Sequence, residues 1–444
     1  MASIEKQDHD VEQDARISDD STPSTPPVKE VEKPQAPAKE GTPKAYLALL
    51  GGFFGLFISF GWLNCIAIFQ AEYEVNQLRT YSSSEISWIT STEFFLMLFF
   101  SPVSGYLFDN YGPRVPIFIG GLLQVFGLMM ASLSSKYYQF LLSQSIVSGI
   151  GTSLIFNPSV TSPMTYFRKG RALAGGLTVA GSSVGGVVFP LMVNHLLPKI
   201  GFGWTMRTCA FLILGLWAIT VCCISANMPR KNRNFDFQRF LQPFKELNFL
   251  ILFVFAFFLY WAIVVPLNYL SVSAITRGMS ISMALNLIPI MNAASFLGRT
   301  IPNVLADKYG RYNVTMAVLL FTAIIELALW LPGKSNAAII VFAAFFGFGS
   351  GACIGLAPVL VMNLSPSPQE YGFRMGAALA VAGVASLTAP PIAGAIAAKS
   401  HGSYDNAFIF AAVSGFISLV FLIVLRGKVI GWKLKENTSK AGGH

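Results

Sequence analysis

The chain has 444 residues, of which 53% are hydrophobic and 12% charged, with 38 Phe, 39 Gly and a formal net charge of +9. A soluble domain carries about 25% charged residues, so the composition excludes an ordinary water-soluble globule and points to a polytopic membrane protein. Four histidines and five cysteines form no CxxC pair, histidine box or nucleophile constellation, so no metal centre, cofactor or enzyme active site is expected.

Residues 1–44 hold ten acidic and six basic residues and the Pro-rich run STPSTPPVKEVEKPQAPAKEGTP. Such a segment cannot bury a core, and a disordered cytoplasmic tail is expected. No cleavable signal peptide precedes the first apolar run, which is expected to serve as the targeting signal. Crossing about 30 Å of hydrocarbon takes about 20 apolar residues, and twelve runs qualify: 46–69, 86–108, 115–134, 138–163, 172–197, 205–227, 247–270, 281–305, 313–331, 336–361, 374–398 and 406–426. Internal Gly and Pro do not oppose helix in lipid when neighbours satisfy the freed backbone groups.

In chain order, the first run carries LLGGFFG, Trp62 and Asn64. The second carries Glu93 and leads into GYLFDNYGPR; the fourth holds GIGTS and Asn157. The fifth is opened by TYFRKGRALAGGLTVAGSSVGG and closed by His195, read as interfacial. The seventh holds Tyr260, Trp261 and Asn268, and the eighth Asn292 and Arg299 before VLADKYGR. Glu326 in the ninth is read as structural. ALWLPGKS is a false phosphate loop, because Ala328 stands at its first glycine. The glycine-rich runs are spaced for close helix approach in lipid.

Repetition at one offset organises these runs. Asp109 and Asp307 are 198 residues apart, each followed at the same interval by Tyr-Gly, and Gly149 and Gly151 recur at Gly347 and Gly349 with the same spacing. Trp62 and Trp261 are 199 apart. The fold class expected is all-α membrane protein, with 12 transmembrane helices in two parallel-repeat six-helix bundles at 45–227 and 247–426. A cytoplasmic linker (228–246) joins them and a cytoplasmic tail (427–444) follows. Parallel repeats place a substrate site between the halves near the midplane.

With both termini cytoplasmic, the inner segments collect Arg114, Arg168, Lys169, Arg171, Arg230, Lys231, Arg233, Arg239, Lys245, Lys308, Arg311 and Arg374, while the outer ones hold Arg79, Lys136, Lys199, Arg207, Arg277, Lys334 and Lys399. This asymmetry follows the positive-inside rule and accounts for the basic charge without nucleic acid as a partner. The sequons at Asn313, Asn363 and Asn437 then face the cytoplasm, where they are chance matches.

The pattern Gly105-x-Leu107-x-Asp109-x-x-Gly112-x-Arg114 resembles the loop signature of the major facilitator superfamily between its helices 2 and 3. A degenerate second copy has Asn303 for the first glycine, keeps Asp307, Gly310 and Arg311, and has Tyr312 for the last arginine. TYFRKGRALAGG, over Tyr166, Phe167, Lys169, Arg171, Ala172, Leu173, Ala174 and Gly176, is similar to a segment of the monocarboxylate-transporter-like family, especially its fungal branch. That resemblance covers about residues 45–426. It implies alternating access by two bundles and an arginine of helix 8, here Arg299, that meets the substrate anion. The sequence departs from the family at Leu50, Asn64 and Ser295, where the family has an acid, a lysine in its proton-linked members, and an aspartate. Proton symport of lactate-like acids loses its two most easily assigned groups.

The expected function is secondary active or facilitative transport of a small organic solute, with a monocarboxylate or other carboxylate-bearing metabolite as the first reading. Export of a fungal secondary metabolite and a non-transporting receptor are the alternatives. Arg299 can grip a carboxylate bidentately; its other reading is a side chain that snorkels or braces a neighbouring carbonyl. Asn64, Asn157, Tyr260, Trp261, Asn268 and Asn292 are the other substrate-binding candidates. Glu93 is the candidate for a coupling proton or, alternatively, an outer-half acid touching water. Gly105, Asp109, Gly112, Arg114, Asp307, Gly310 and Arg311 form the gating motif, the acids latching helix ends or sitting in solvated turns. The lipid bilayer and a small organic anion or metabolite are the expected partners of a monomer in the plasma membrane, with the vacuolar membrane as the alternative.

Overall fold

Each apolar run is a helix in the computed structural model, which describes residues 41–65, 68–69, 72–228, 241–400 and 402–431. Most of the leader, linker residues 229–240, and the tail beyond 431 with its Asn437 sequon lie outside the described residues. In chain order the helices are α1 Pro43–Leu63, α2 Glu85–Tyr111, α3 Arg114–Ala131 and α4 Tyr137–Met164, then α5 (171–200) and α6 (202–223). They continue with α7 Leu247–Thr276, α8 Ile281–Tyr309, α9 Arg311–Ala328, α10 Asn336–Leu364, α11 Tyr371–Lys399 and α12 Asp405–Val429. The stretch Arg171–Cys223 is continuous except at Gly201, where φ is +73° and ψ 171°. A straight helix of that length would run about 80 Å, far beyond a bilayer core of about 30 Å, so the break at Gly201 makes two spans.

Local chemistry sets several ends. Ser82 and Ser280, 198 apart, cap the helices that follow them by accepting from the N–H of Glu85 and of Met283. At the other ends of α2 and α8, Gly112 (φ +80°) and Gly310 (φ +102°) take the left-handed turn that a side chain disfavours. The first helix stops at Leu63 rather than reaching residue 69. Ser59 leaves helical geometry (φ −92°, ψ −83°) and a short turn Phe60–Leu63 finishes the span. Hydropathy continues through the following Ile and Phe and cannot register that stop. Leu141–Ser148 of α4 is π-helical, which rotates Gln144, Ser145 and Ser148 into the bundle, where all three are buried.

The described helices fall within one unit, Ala38–His444. α1 packs on α5, and α3 on α6, where the indole N–H of Trp217 donates to the Ile117 carbonyl at 2.9 Å. α7 packs on α12 and α8 on α10, while the two halves meet where α2 faces α11 and α5 faces α8. Phe118, Leu122 and Phe126 of α3, Leu320 and Ile324 of α9, and Val413 and Val420 of α12 are exposed. Apolar surface of that extent belongs in lipid, and the chain is a multi-pass membrane protein.

Candidate transport site and its closing contacts

One face of the molecule carries the duplicated acidic turns, and there the two halves are tied by the same device twice. The Asp109 carboxylate, at the end of α2, accepts from the backbone N–H of Gly372 at 3.0 Å and of Phe373 at 2.8 Å. Asp307, at the end of α8, accepts from Ala172 at 3.1 Å and Leu173 at 2.8 Å. In each case the donors are the second and third residues of a helix in the other half, α11 or α5. Those N–H groups have no partner within their own helix and sit at the positive end of its dipole, so a carboxylate suits them.

Glycine lets the paired helices come this close. A Cβ on Gly105 would strike the Gly372 carbonyl, and one on Gly176 would strike the Arg299 carbonyl and lie 2.7 Å from Cγ of Asn303. The second pairing also explains the degenerate motif: Asn303 replaces the first glycine on α8 because Gly176 and Gly355 leave room for its side chain. Gly112 and Gly310 close the turns. Arg114 reaches the Ile224 and Cys222 carbonyls of its own half at 3.3 and 3.4 Å. Arg311 pairs with Asp307 at 3.2 Å and reaches across to the Arg168 carbonyl at 2.8 Å.

Arg299 lies eight residues deeper than Asp307, about 12 Å along α8, and is 2% exposed. Its hydrogen bonds all leave Nη1, for the Val179 carbonyl at 3.1 Å and the hydroxyls of Ser182 and Ser183 on α5, while Nε has no partner. The Phe60 ring lies 5.9 Å from the guanidinium. Every acceptor is neutral, so a permanent cation sits between the bundles with no counter-ion among the described residues. This conformation thus has the bracing contact, and Ser182 and Ser183 are partners the sequence did not announce, because SSVGG looks like small-residue packing.

The other candidates divide by position. Asn64 and Asn292 are brought together: Nδ2 of Asn292 donates to Oδ1 of Asn64 at 3.2 Å, across the two halves. Asn157 is buried in the closing contact, donating to the Ser101 carbonyl at 2.9 Å and to the Gly372 carbonyl at 3.1 Å. Tyr260 is half-buried and packs against both the large core and an apolar cluster of its own half. Trp261 turns into its own half, where its indole N–H donates to Thr388 at 3.0 Å against Phe257 and Phe410. Asn268 is exposed and donates to the Val264 carbonyl of its own helix at 2.9 Å. Glu93 is fully buried inside the first half, away from the bundle interface, accepting from Trp62, Gln144 and Ser148. Glu326 is likewise buried, and neither of its oxygens has a partner.

Two six-helix halves, duplicated acid-to-helix ties at one face and a buried arginine between them define a membrane transporter of the two-bundle class. The chain belongs to the Major Facilitator Superfamily, whose model matches residues 49–304 and 294–441. It is 56% identical to the MFS-type transporter opdF of Penicillium oxalicum, over 92% of this chain and 96% of that one. It is 40% identical to the aspyridones efflux protein apdF of Emericella nidulans, over 86% of this chain and 78% of that one. The crystal structure of the human organic anion transporter MFSD10 shares the fold with a TM-score of 0.72 at 13% identity, covering 86% of this chain and 100% of that one. These similar proteins are transporters rather than enzymes, and neither fungal relative is named for a monocarboxylate.

Proposed function

We propose that this protein exports a small organic metabolite carrying an acidic group, by alternating access of its two bundles; its likeness to a relative named as an aspyridones efflux protein supports the direction. Both termini face the cytoplasm in this reading, so the acidic turns close the cytoplasmic side and the described conformation is shut toward it. The observation that carries the substrate class is Arg299, a buried cation held only by neutral acceptors of α5 and with Nε unpartnered. When α5 and α8 part, its bonds to Ser182 and Ser183 are lost, and an anionic group of the substrate supplies the missing charge. Tyr260 and Phe60 give that group an apolar, aromatic surround, suited to a larger amphipathic acid.

The test compares metabolites inside and outside matched cells with the protein, without it, and with Arg299→Gln. The expected result is at least one acidic metabolite that leaves cells only when the wild-type protein is present and accumulates inside otherwise. Equal profiles in all three strains contradict the proposal.

A further inference from the structure

A buried polar cluster outside the inter-bundle contact surrounds Glu93. Its Oε1 accepts from the indole N–H of Trp62 at 3.0 Å and from the Ser148 hydroxyl at 3.2 Å, and its Oε2 accepts from the Gln144 amide at 3.1 Å. Gln144 in turn accepts from the Tyr73 hydroxyl, in the connection that follows α1. The residue is 0% exposed, and no cation pairs with it among the described residues. The titratable groups facing this cluster are Cys65 from the turn after α1, Tyr73 from the same connection and Cys209 from α6; α4 contributes only neutral amide and hydroxyl groups. Three donors stabilise a carboxylate, yet an uncompensated charge at this depth remains costly.

The duplicated fold supplies a control for the structural explanation. At the offset of 198 residues, Glu93, Gln144 and Ser148 fall on Met291, Phe342 and Phe346 of the second half. The equivalence holds in space, because Gly149 packs on the backbone of Glu93 as Gly347 packs on that of Met291. Met291, Phe342 and Phe346 belong to one apolar cluster, with the two phenylalanine rings stacked at 5.5 Å. Val341 and Ala343 on either side of Phe342 are apolar too, so the π-helical turn in α4 does not disturb the comparison. The same packing site is thus filled by hydrocarbon in one half and by a carboxylate with three donors in the other. Packing alone does not call for the acid.

We propose that Glu93 is a proton-binding site that takes up and releases one proton during transport and passes its state to α1 through Trp62 and to α4 through Gln144 and Ser148. A proton from water adds to one carboxylate oxygen, giving the neutral acid. The Ser148 hydroxyl can turn from donor to acceptor for the new O–H, and the Gln144 amide can present its oxygen in place of its nitrogen. The two protonation states therefore favour two arrangements of one three-helix network. This deepens the export reading by naming the co-ion and rests on it only for the direction of coupling.

The test is a difference infrared spectrum of the full chain in lipid nanodiscs, stepped between neutral and acidic buffer without substrate. The expected result is a protonated-carboxyl C=O band that appears on acidification in the wild type and is missing in Glu93→Gln. A step in Trp62 fluorescence over the same pH interval, absent in Trp62→Phe, is expected with it. Should Glu93→Gln not elute as a single species, Gln144→Leu keeps the acid and removes one partner, and the band must then persist at a changed frequency. An identical band in Glu93→Gln, or no band in the wild type, overturns the proposal and leaves export untouched. Conversely, cells that export nothing while the band titrates refute export and leave the proton site standing.

Discussion

Replacing Asp307 by Asn removes half of the duplicated tie while keeping the side chain's size. The carboxylate accepts from two backbone N–H groups at the start of α5, at 3.1 and 2.8 Å. An amide can accept from one and must turn its own NH2 toward the other. A charge-assisted hydrogen bond is worth about 1.5–3 kcal/mol and the helix-end charge about 0.3–1 kcal/mol. The closed arrangement should lose roughly 2–4 kcal/mol, and since about 1.4 kcal/mol is tenfold, the open fraction should rise between about 30-fold and several hundred-fold until it saturates. Asn303, one turn deeper and 0% exposed between α5 and α8, gives the readout. In a background with the exposed Cys222 and half-buried Cys223 replaced by Ala, Asn303→Cys should react with a soluble maleimide at a rate that tracks opening. Arg311→Gln, which leaves both backbone bonds to Asp307 in place, should raise that rate much less. A rate for Asp307→Asn within twofold of the parent would refute the latch.

Three further predictions follow from contacts of different kinds. Gly176→Ala forces a Cβ against the fixed Arg299 carbonyl; overpacking of this sort costs about 1–3 kcal/mol, and labelling at Asn303→Cys should rise, whereas Gly215→Ala, with nothing within 4 Å, should leave it unchanged. Glu246→Gln removes the bidentate partner of Arg374, whose two bonds measure 2.7 Å and whose side chain is 2% exposed; stranding a buried charge costs about 3–5 kcal/mol, softened here by the remaining bond to Glu370 at 2.9 Å, so the melting temperature in detergent should fall clearly, and less so in Arg374→Met paired with Glu246→Gln. Arg277→Ala at the opposite face removes bonds to the Trp330 and Gly333 carbonyls, both 2.8 Å, a cation–π contact at 3.9 Å and the ion pair with Asp405; thermal stability should drop while labelling at Asn303→Cys stays at the parent rate.

The parts of the fold legible in the sequence were those written locally. An acid followed by Tyr-Gly recurs at constant spacing, and the two acids do end equivalent helices and meet equivalent helix starts. The donors they meet carry no side-chain signal, because they are backbone N–H groups of Gly372, Phe373, Ala172 and Leu173. Arg299 stood out by charge, yet its acceptors lie more than a hundred residues away on α5, and hydroxyls among glycines look like packing. Tyr260 and Trp261 are both substrate-binding candidates by sequence, but consecutive helix residues point about 100° apart; Tyr260 borders both the large core and the apolar cluster of its own half, whereas Trp261 packs in the latter. Asn157 was read as a site residue and here spends its amide on the closing contact. The end of the first span, at Leu63 rather than residue 69, was hidden for a different reason: the chain stays apolar through Ile66, Ile68 and Phe69, so hydropathy carries no stop signal there.

The central claim is that Arg299 is released from α5 to meet an acidic metabolite. The most direct measurement is counterflow of the metabolite identified in the cell comparison, in liposomes holding wild-type protein or Arg299→Gln at matched incorporation. The expected result is saturable exchange by the wild type, competed by related acids but not by their neutral esters, and loss of most of that exchange in Arg299→Gln. Equal exchange by both proteins, or equal competition by the esters, would contradict it.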